Sequence, residues 1–265
     1  MDATLSVEHV TKRFGMGEAA ITAVEDVSFD VAEGEFVSLI GPSGCGKSTL
    51  FHIIGGLTAD HGGRVAVAGE TIAGPHPAIG MVFQEESAFP WRNVIDNVGF
   101  ALELRGVPRA ERLERARHYV ALVGLQGFER RHPSELSGGM RQRVAIARTL
   151  AAQPRILLMD EPFASLDEQT RLLLGGKVTQ IQQQLRQTTL LITHSLTEAV
   201  QLSDRILVMT FRPGRLRRVV HVDLPRPRND DILTSPEFGA YVAGLWGDLR
   251  EEASRGLEAA EHAAG

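Results

Sequence analysis

The run Gly41-Pro42-Ser43-Gly44-Cys45-Gly46-Lys47-Ser48 sits between a β-rich stretch, Glu35 to Ile40, and a helix beginning near Lys47. Glycines at this spacing let a backbone wrap closely around an anion with its N–H groups turned inward. The helix that follows presents its positive end to the same anion. Lys47 adds a mobile positive charge and Ser48 a hydroxyl that can ligate Mg²⁺, so a nucleotide triphosphate is the ligand these residue types fit. A second constellation, Asp160-Glu161, ends the apolar run Ile156 to Met159. A buried strand does not end in two carboxylates without charge partners. Asp160 is placed to hold Mg²⁺, and Glu161, one residue further out, to polarise an attacking water. A third, Leu136-Ser137-Gly138-Gly139-Met140-Arg141-Gln142-Arg143, opens an amphipathic helix. Its serine and glycine amides form another cluster of anion donors at a helix start.

These residues need elements to hold them. β-branched and aromatic residues mark strands at Leu5 to Val10, Val27 to Val31, Val65 to Ala68 and Ile79 to Gln84. Helical spacing follows at Val94 to Leu104, Arg109 to Val123 and about 139 to 152. The last third alternates. Strands at Arg155 to Met159, Thr188 to Thr193 and Arg205 to Met209 are separated by helices at about 167 to 186 and Leu196 to Leu202. This predicts an α/β fold: a P-loop core with a mainly parallel sheet, an N-terminal antiparallel β portion and an inserted α-helical subdomain at about 88–152. The core spans 1–225, and a helical tail occupies 226–265. In the tail, Phe238, Tyr241, Val242, Leu245, Trp246 and Leu249 make an apolar stripe expected to pack on the chain's own core, with fraying expected from about Ala253.

The ordered set of motifs resembles the ATP-binding subunits of ABC transporters, over about residues 3 to 225. Leu136 to Arg143 is similar to the family's signature motif, Ser165-Leu166-Asp167 to its D-loop, Gln84 to its Q-loop glutamine and His194 to its switch histidine. Phe14 resembles the aromatic residue that stacks on adenine. The resemblance implies ATP as ligand, held by Phe14 and by Gly41, Pro42, Ser43, Gly44, Cys45, Gly46, Lys47, Ser48 and Thr49. Ser137, Gly138, Gly139 and Gln142 of a second copy would close over it. Glu161, His194, Gln84 and Lys47 are the implied catalytic group; Ser48, Gln84 and Asp160 are the implied Mg²⁺ group. Softer similarities point to importers of nitrate, alkanesulfonates and taurine: Phe89-Pro90-Trp91, Thr193 to Val200, and the tail around Leu224 to Arg228. The partners implied are the second copy, integral membrane permease subunits and, indirectly, a solute-binding protein. Phe89 and Trp91 are candidates for the permease contact. The family pattern is departed from at Ala164-Ser165, at Ser195 and at Gly175-Gly176, where two glycines within a helix cost roughly 1 kcal/mol each.

Bulk properties agree with this expectation. The 265 residues carry 28 Lys and Arg against 33 Asp and Glu, a net charge of −5, which gives no general reason to bind nucleic acid. A single cysteine, Cys45, forbids an internal disulfide. No run of about 18 apolar residues suits a membrane helix. The expected place is therefore the cytoplasmic face of a membrane, reached through a partner. ABC ATPases of DNA repair or of ribosomes are the alternative. The coiled-coil insertion of the former and the paired cassettes of the latter are not seen here. A small-molecule kinase would have no use for Leu136 to Arg143.

Overall fold

The structure is a computed structural model that describes residues 3–17, 20–84, 87–164, 166–228 and 230–264. Ser165 of the expected D-loop lies outside them. Two sheets form the β framework. Strands β1 (Ala3–Phe14), β2 (Ile21–Ala32), β4 (Gly62–Val67) and β5 (Glu70–Thr71) make an antiparallel sheet in the order β2-β1-β4-β5. The larger sheet has the order β10-β9-β3-β8-β7-β6. Within it β9 (Arg205–Met209), β3 (Phe36–Ile40), β8 (Thr188–Ile192), β7 (Ile156–Asp160) and β6 (Ile79–Val82) are parallel. Edge strand β10 (Leu216–His221) runs antiparallel to β9. β3, β7 and β8 are buried at every residue, as strands covered on both faces must be.

Between β6 and β7 the chain is helical: α2 (Val94–Val98), α3 (Phe100–Leu104), α4 (Arg109–Leu122) and α5 (Gly138–Ala151). The expected single helix Val94 to Leu104 is divided at Gly99, which caps α2 and starts α3. The helices do not stand apart from the sheet. Val98, Val120, Val144 and Ile146 share one buried cluster with Leu157, Met159 and Leu191. Asn97 is fully buried and fixes the loop before α2, its amide donating to Phe89 O, Arg92 O and Asn93 O while its Oδ1 accepts from Phe89 N.

Helix α6 (Glu168–Leu185) starts on an Asp167 cap and contains the two glycines. Gly175 has a reason to be small: a Cβ there would stand 3.3 Å from Leu202 Cδ2 in α7 (Leu196–Leu202). Gly176 has none on this measure. After β10 come α8 (Asp230–Leu233) and α9 (Pro236–Ala264). Phe238 and Leu245 of α9 are buried with Ile40, Val200 and Val208, while Trp246 is 62% exposed. The stripe thus packs on the core with one member left out. α9 is helical through the stretch from Ala253 to Ala264. Buried Glu252 accepts from Phe211 N, and Gly256 lies against the Phe211 ring.

Candidate functional site

Five neighbouring parallel strands end along one edge, and each delivers a candidate residue there. Leu39, Ile192 and Asp160 lie at one level across β3, β8 and β7. The loop Gly41–Ser48 therefore leaves beside His194 and beside Asp160-Glu161. β6 pairs Val82 with Met159, so Gln84 follows at the same edge, in a bend past the strand and exposed. On the other flank β9 leads into the turn that carries Arg212. Ligand crevices of parallel sheets form at this edge.

The loop adopts backbone that glycine allows. Gly44 and Gly46 have φ of 75° and 99°, and a Cβ on Gly46 would stand 2.6 Å from Ala23 O. Gly46 caps α1 (Lys47–Ile54), whose first turn faces the loop. Lys47 is buried, its Nζ donating to Gly41 O (2.8 Å) and Pro42 O (3.0 Å). Cys45 is fully buried and its thiol pKa is pushed up by desolvation, which suits a spacer rather than a nucleophile. A cleft of about 420 Å³ opens over the loop, lined by Ser43, Gly44, Gly46, Lys47, Ser48 and Thr49. Phe14, Ile21, Glu161 and Arg212 complete much of its wall. Phe14, at the end of β1, has Lys12 Nζ 5.0 Å from its ring centroid, so the ring is backed by a cation that is itself bonded to Asp60.

Asp160 is 8% exposed and its Oδ1 has no hydrogen-bond partner. Burial raises its pKa, and a hydrogen bond with the Ser48 side chain opposes that rise. A buried carboxylate oxygen with nothing bonded to it, beside a serine hydroxyl, fits a hard divalent cation. Among the described residues no three His, Cys, Asp or Glu cluster for a metal. Asp160 and Ser48 are the oxygen donors that could hold such a cation.

Glu161 has φ 44°, in the left-handed region that a non-glycine residue rarely adopts. Its N–H donates to Ile192 O (2.8 Å), tying the strained residue to β8. Its Oε2 lies 3.0 Å from His194 Nδ1. The residues on either side of His194 are tied together: Thr193 Oγ1 donates to Glu198 Oε2 (2.6 Å) and accepts from Ser195 N (3.0 Å). Ser195 caps α7, which explains how serine serves at this position. Glu198 is buried, its pKa raised by desolvation, with Arg171 Nε 3.4 Å away.

The sequence pattern of the ABC transporter family matches residues 24–164. The chain belongs to that family. It is 46% identical to an uncharacterised ABC transporter ATP-binding protein of Methanocaldococcus jannaschii, over 97% of this chain and 96% of that one. It is 43% identical to the aliphatic sulfonates import ATP-binding protein of Bacillus licheniformis, with 89% and 90% covered. Identity to the nitrate import ATP-binding protein of Synechocystis is 40%, with 96% and 98% covered. A dimeric ATP-binding cassette bound to ADP and phosphate superimposes with a TM-score of 0.71 at 32% identity, covering 83% of this chain and all of that one. This ABC protein is accordingly an ATP-binding ATPase.

In the ABC frame, the signature turn stands apart from the cleft. Ser137 caps α5 with Oγ accepting from Met140 N, and the buried Gly139 lies against Leu166, whose Cδ2 would be 3.1 Å from a Cβ there. Neither Ser137 nor Gly139 is among the residues lining the cleft. Gln142, expected to face the nucleotide of a second copy, lies on α5. It is 2% exposed and its Nε2 is unpartnered. At the far end of α5, Arg148 donates to Ser87 O (2.6 Å) and Ser87 Oγ (2.7 Å) and lies 4.7 Å from the Phe89 ring centroid. Phe89 stacks on Trp91, which is 72% exposed. Sequence reasoning missed Arg212. A single arginine in a turn has no spacing to mark it, and only the β9 pairing brings it to the cleft.

Proposed function

We propose that this ABC ATPase is the motor of an importer for a small oxyanion or sulfonate-like solute, acting as one of two copies that close around two ATP molecules. The observation that carries the reading is the separation of two anion sites in one chain. A complete phosphate loop lines the cleft, while the donor turn Ser137–Gly139 lies outside it. A second copy related by a two-fold axis would bring its turn onto the triphosphate. The dimeric cassette to which the chain is similar supports this pairing, and the sulfonate and nitrate import relatives support the direction and cargo class.

In this reading Phe14 stacks on adenine, the loop N–H groups and Lys47 bind the phosphates, and Ser48 with Asp160 holds Mg²⁺. When bound, the metal neutralises phosphate charge. Glu161 orients and accepts a proton from the attacking water, and His194 touches the terminal phosphate. Gln84 reports the nucleotide state to the helical lobe at about 88–152, inserted in the 1–225 core. No helix among the described residues is long and apolar enough to cross a membrane. The chain meets the cytoplasmic face through permease subunits, with exposed Trp91 at the contact.

Complementation between defective chains tests the shared site. Lys47→Ala and Ser137→Arg chains should each be inactive alone, and mixing them should restore hydrolysis, because one site of the mixed pair then has both intact halves. The rate per chain of the isolated protein should also rise with concentration. Mixtures as inactive as their components would refute the composite site.

A further inference from the structure

We propose that Arg212 is a direct contact for the nucleotide's phosphates and that helix α9 positions it. The inference rests on the cleft being the ATP site. Arg212 lines that cleft, and its Nη2 donates a long hydrogen bond to Gly44 O (3.4 Å), inside the phosphate loop. Its neighbours differ. Arg215 pairs with Glu25, Arg217 with Glu251 and Glu252, and Arg218 with Asp248. Among the described residues no carboxylate pairs with Arg212, which leaves a forked cation over an anion cradle. Guanidinium geometry suits two phosphate oxygens at once.

The turn bearing it is pinned from both sides. Beneath, Gly214 N donates to Ala23 O (3.0 Å) and Gly214 O accepts from Glu25 N (3.0 Å), and a Cβ on Gly214 would stand 1.9 Å from Cys45 O. The turn and the phosphate loop are thus packed backbone to backbone. Within it, Thr210 Oγ1 donates to Pro213 O and accepts from Arg215 N. From outside, Glu252 of α9 accepts from Phe211 N (2.9 Å) and is held by Arg217. Glu252 is 2% exposed, and its partner is the residue immediately before Arg212. The tail helix therefore sets the backbone from which Arg212 reaches the cleft, and Glu252 is its positioning residue.

Equilibrium titration with ATP and ADP tests this in the full chain. Arg212→Ala should raise both dissociation constants roughly tenfold, as expected for losing a charge-assisted hydrogen bond, and Arg212→Lys should recover part of the loss. Glu252→Met, which removes the acceptor for Phe211 N, should weaken binding by a smaller factor, and should add nothing in an Arg212→Ala background. Unchanged affinity in Arg212→Ala would overturn the contact, and either unchanged affinity in Glu252→Met or an undiminished Glu252→Met effect in the double variant would overturn the positioning role. Lys47→Ala separates this from the underlying reading. If it too leaves affinity unchanged, the cleft is not the ATP site; if it alone weakens binding, only the Arg212 inference fails.

Discussion

Glu161→Gln preserves side-chain size and removes one negative charge. That charge acts on His194 Nδ1 at 3.0 Å, on the adjoining Asp160 and on Glu198. Asp160 is held above the ordinary carboxylate range chiefly by burial and further by the Glu161 charge. Removing that charge lets Asp160 ionise more readily, so the pocket that would hold the cation should not weaken. ATP affinity in Mg²⁺ is therefore expected at wild-type strength or tighter. Hydrolysis loses its base, which corresponds to roughly 10² to 10⁴ in rate, or about 2.7 to 5.5 kcal/mol of barrier. Nucleotide titration, phosphate release at saturating ATP and light scattering of the ATP-loaded variant separate these effects. The variant should bind, fail to turn over and accumulate as a pair of chains. Hydrolysis within a few-fold of wild type would remove Glu161 from the chemistry. A strictly monomeric species at high ATP and protein concentration would refute the shared site.

Two further outcomes are expected. Asn97→Ala deletes four hydrogen bonds in a fully buried place and should cost about 2 to 4 kcal/mol in chemical denaturation; a loss under about 0.5 kcal/mol would show that the loop carries itself. Burial raises the folded-state pKa of Glu198 above its unfolded value, so the folded chain binds the extra proton between the two. Wild-type stability relative to Glu198→Gln should then decline as pH rises through that window from the ordinary carboxylate range upward, and a flat difference across denaturation midpoints would contradict the assignment.

The chemistry-bearing loops were legible because few residue types satisfy their geometry. Gly44 and Gly46 need positive φ, and Asp160 ends a strand too apolar to be exposed. Element boundaries were less so. Gly99 breaks a helix whose periodicity runs through it, and both halves pack against α5. β10 was missed since Arg217 and Arg218 give it the composition of a loop, although they pair with acids on α9. Arg212 shows the limit most clearly. It reaches the distant phosphate loop, a fact its neighbours in sequence do not carry.

Arg148 gives α5 a second attachment. The helix spans about 21 Å, from its 14 residues at 1.5 Å each. One end is the Ser137 donor turn; near the other, Arg148 grips Ser87 and covers Phe89 beneath Trp91. A protein resting on Trp91 and a triphosphate seated at Ser137 would pull on opposite ends of one rod. Thermodynamic reciprocity then requires each to change the other's affinity by the same factor. Cutting the grip at Arg148 should leave both able to bind and make them deaf to one another.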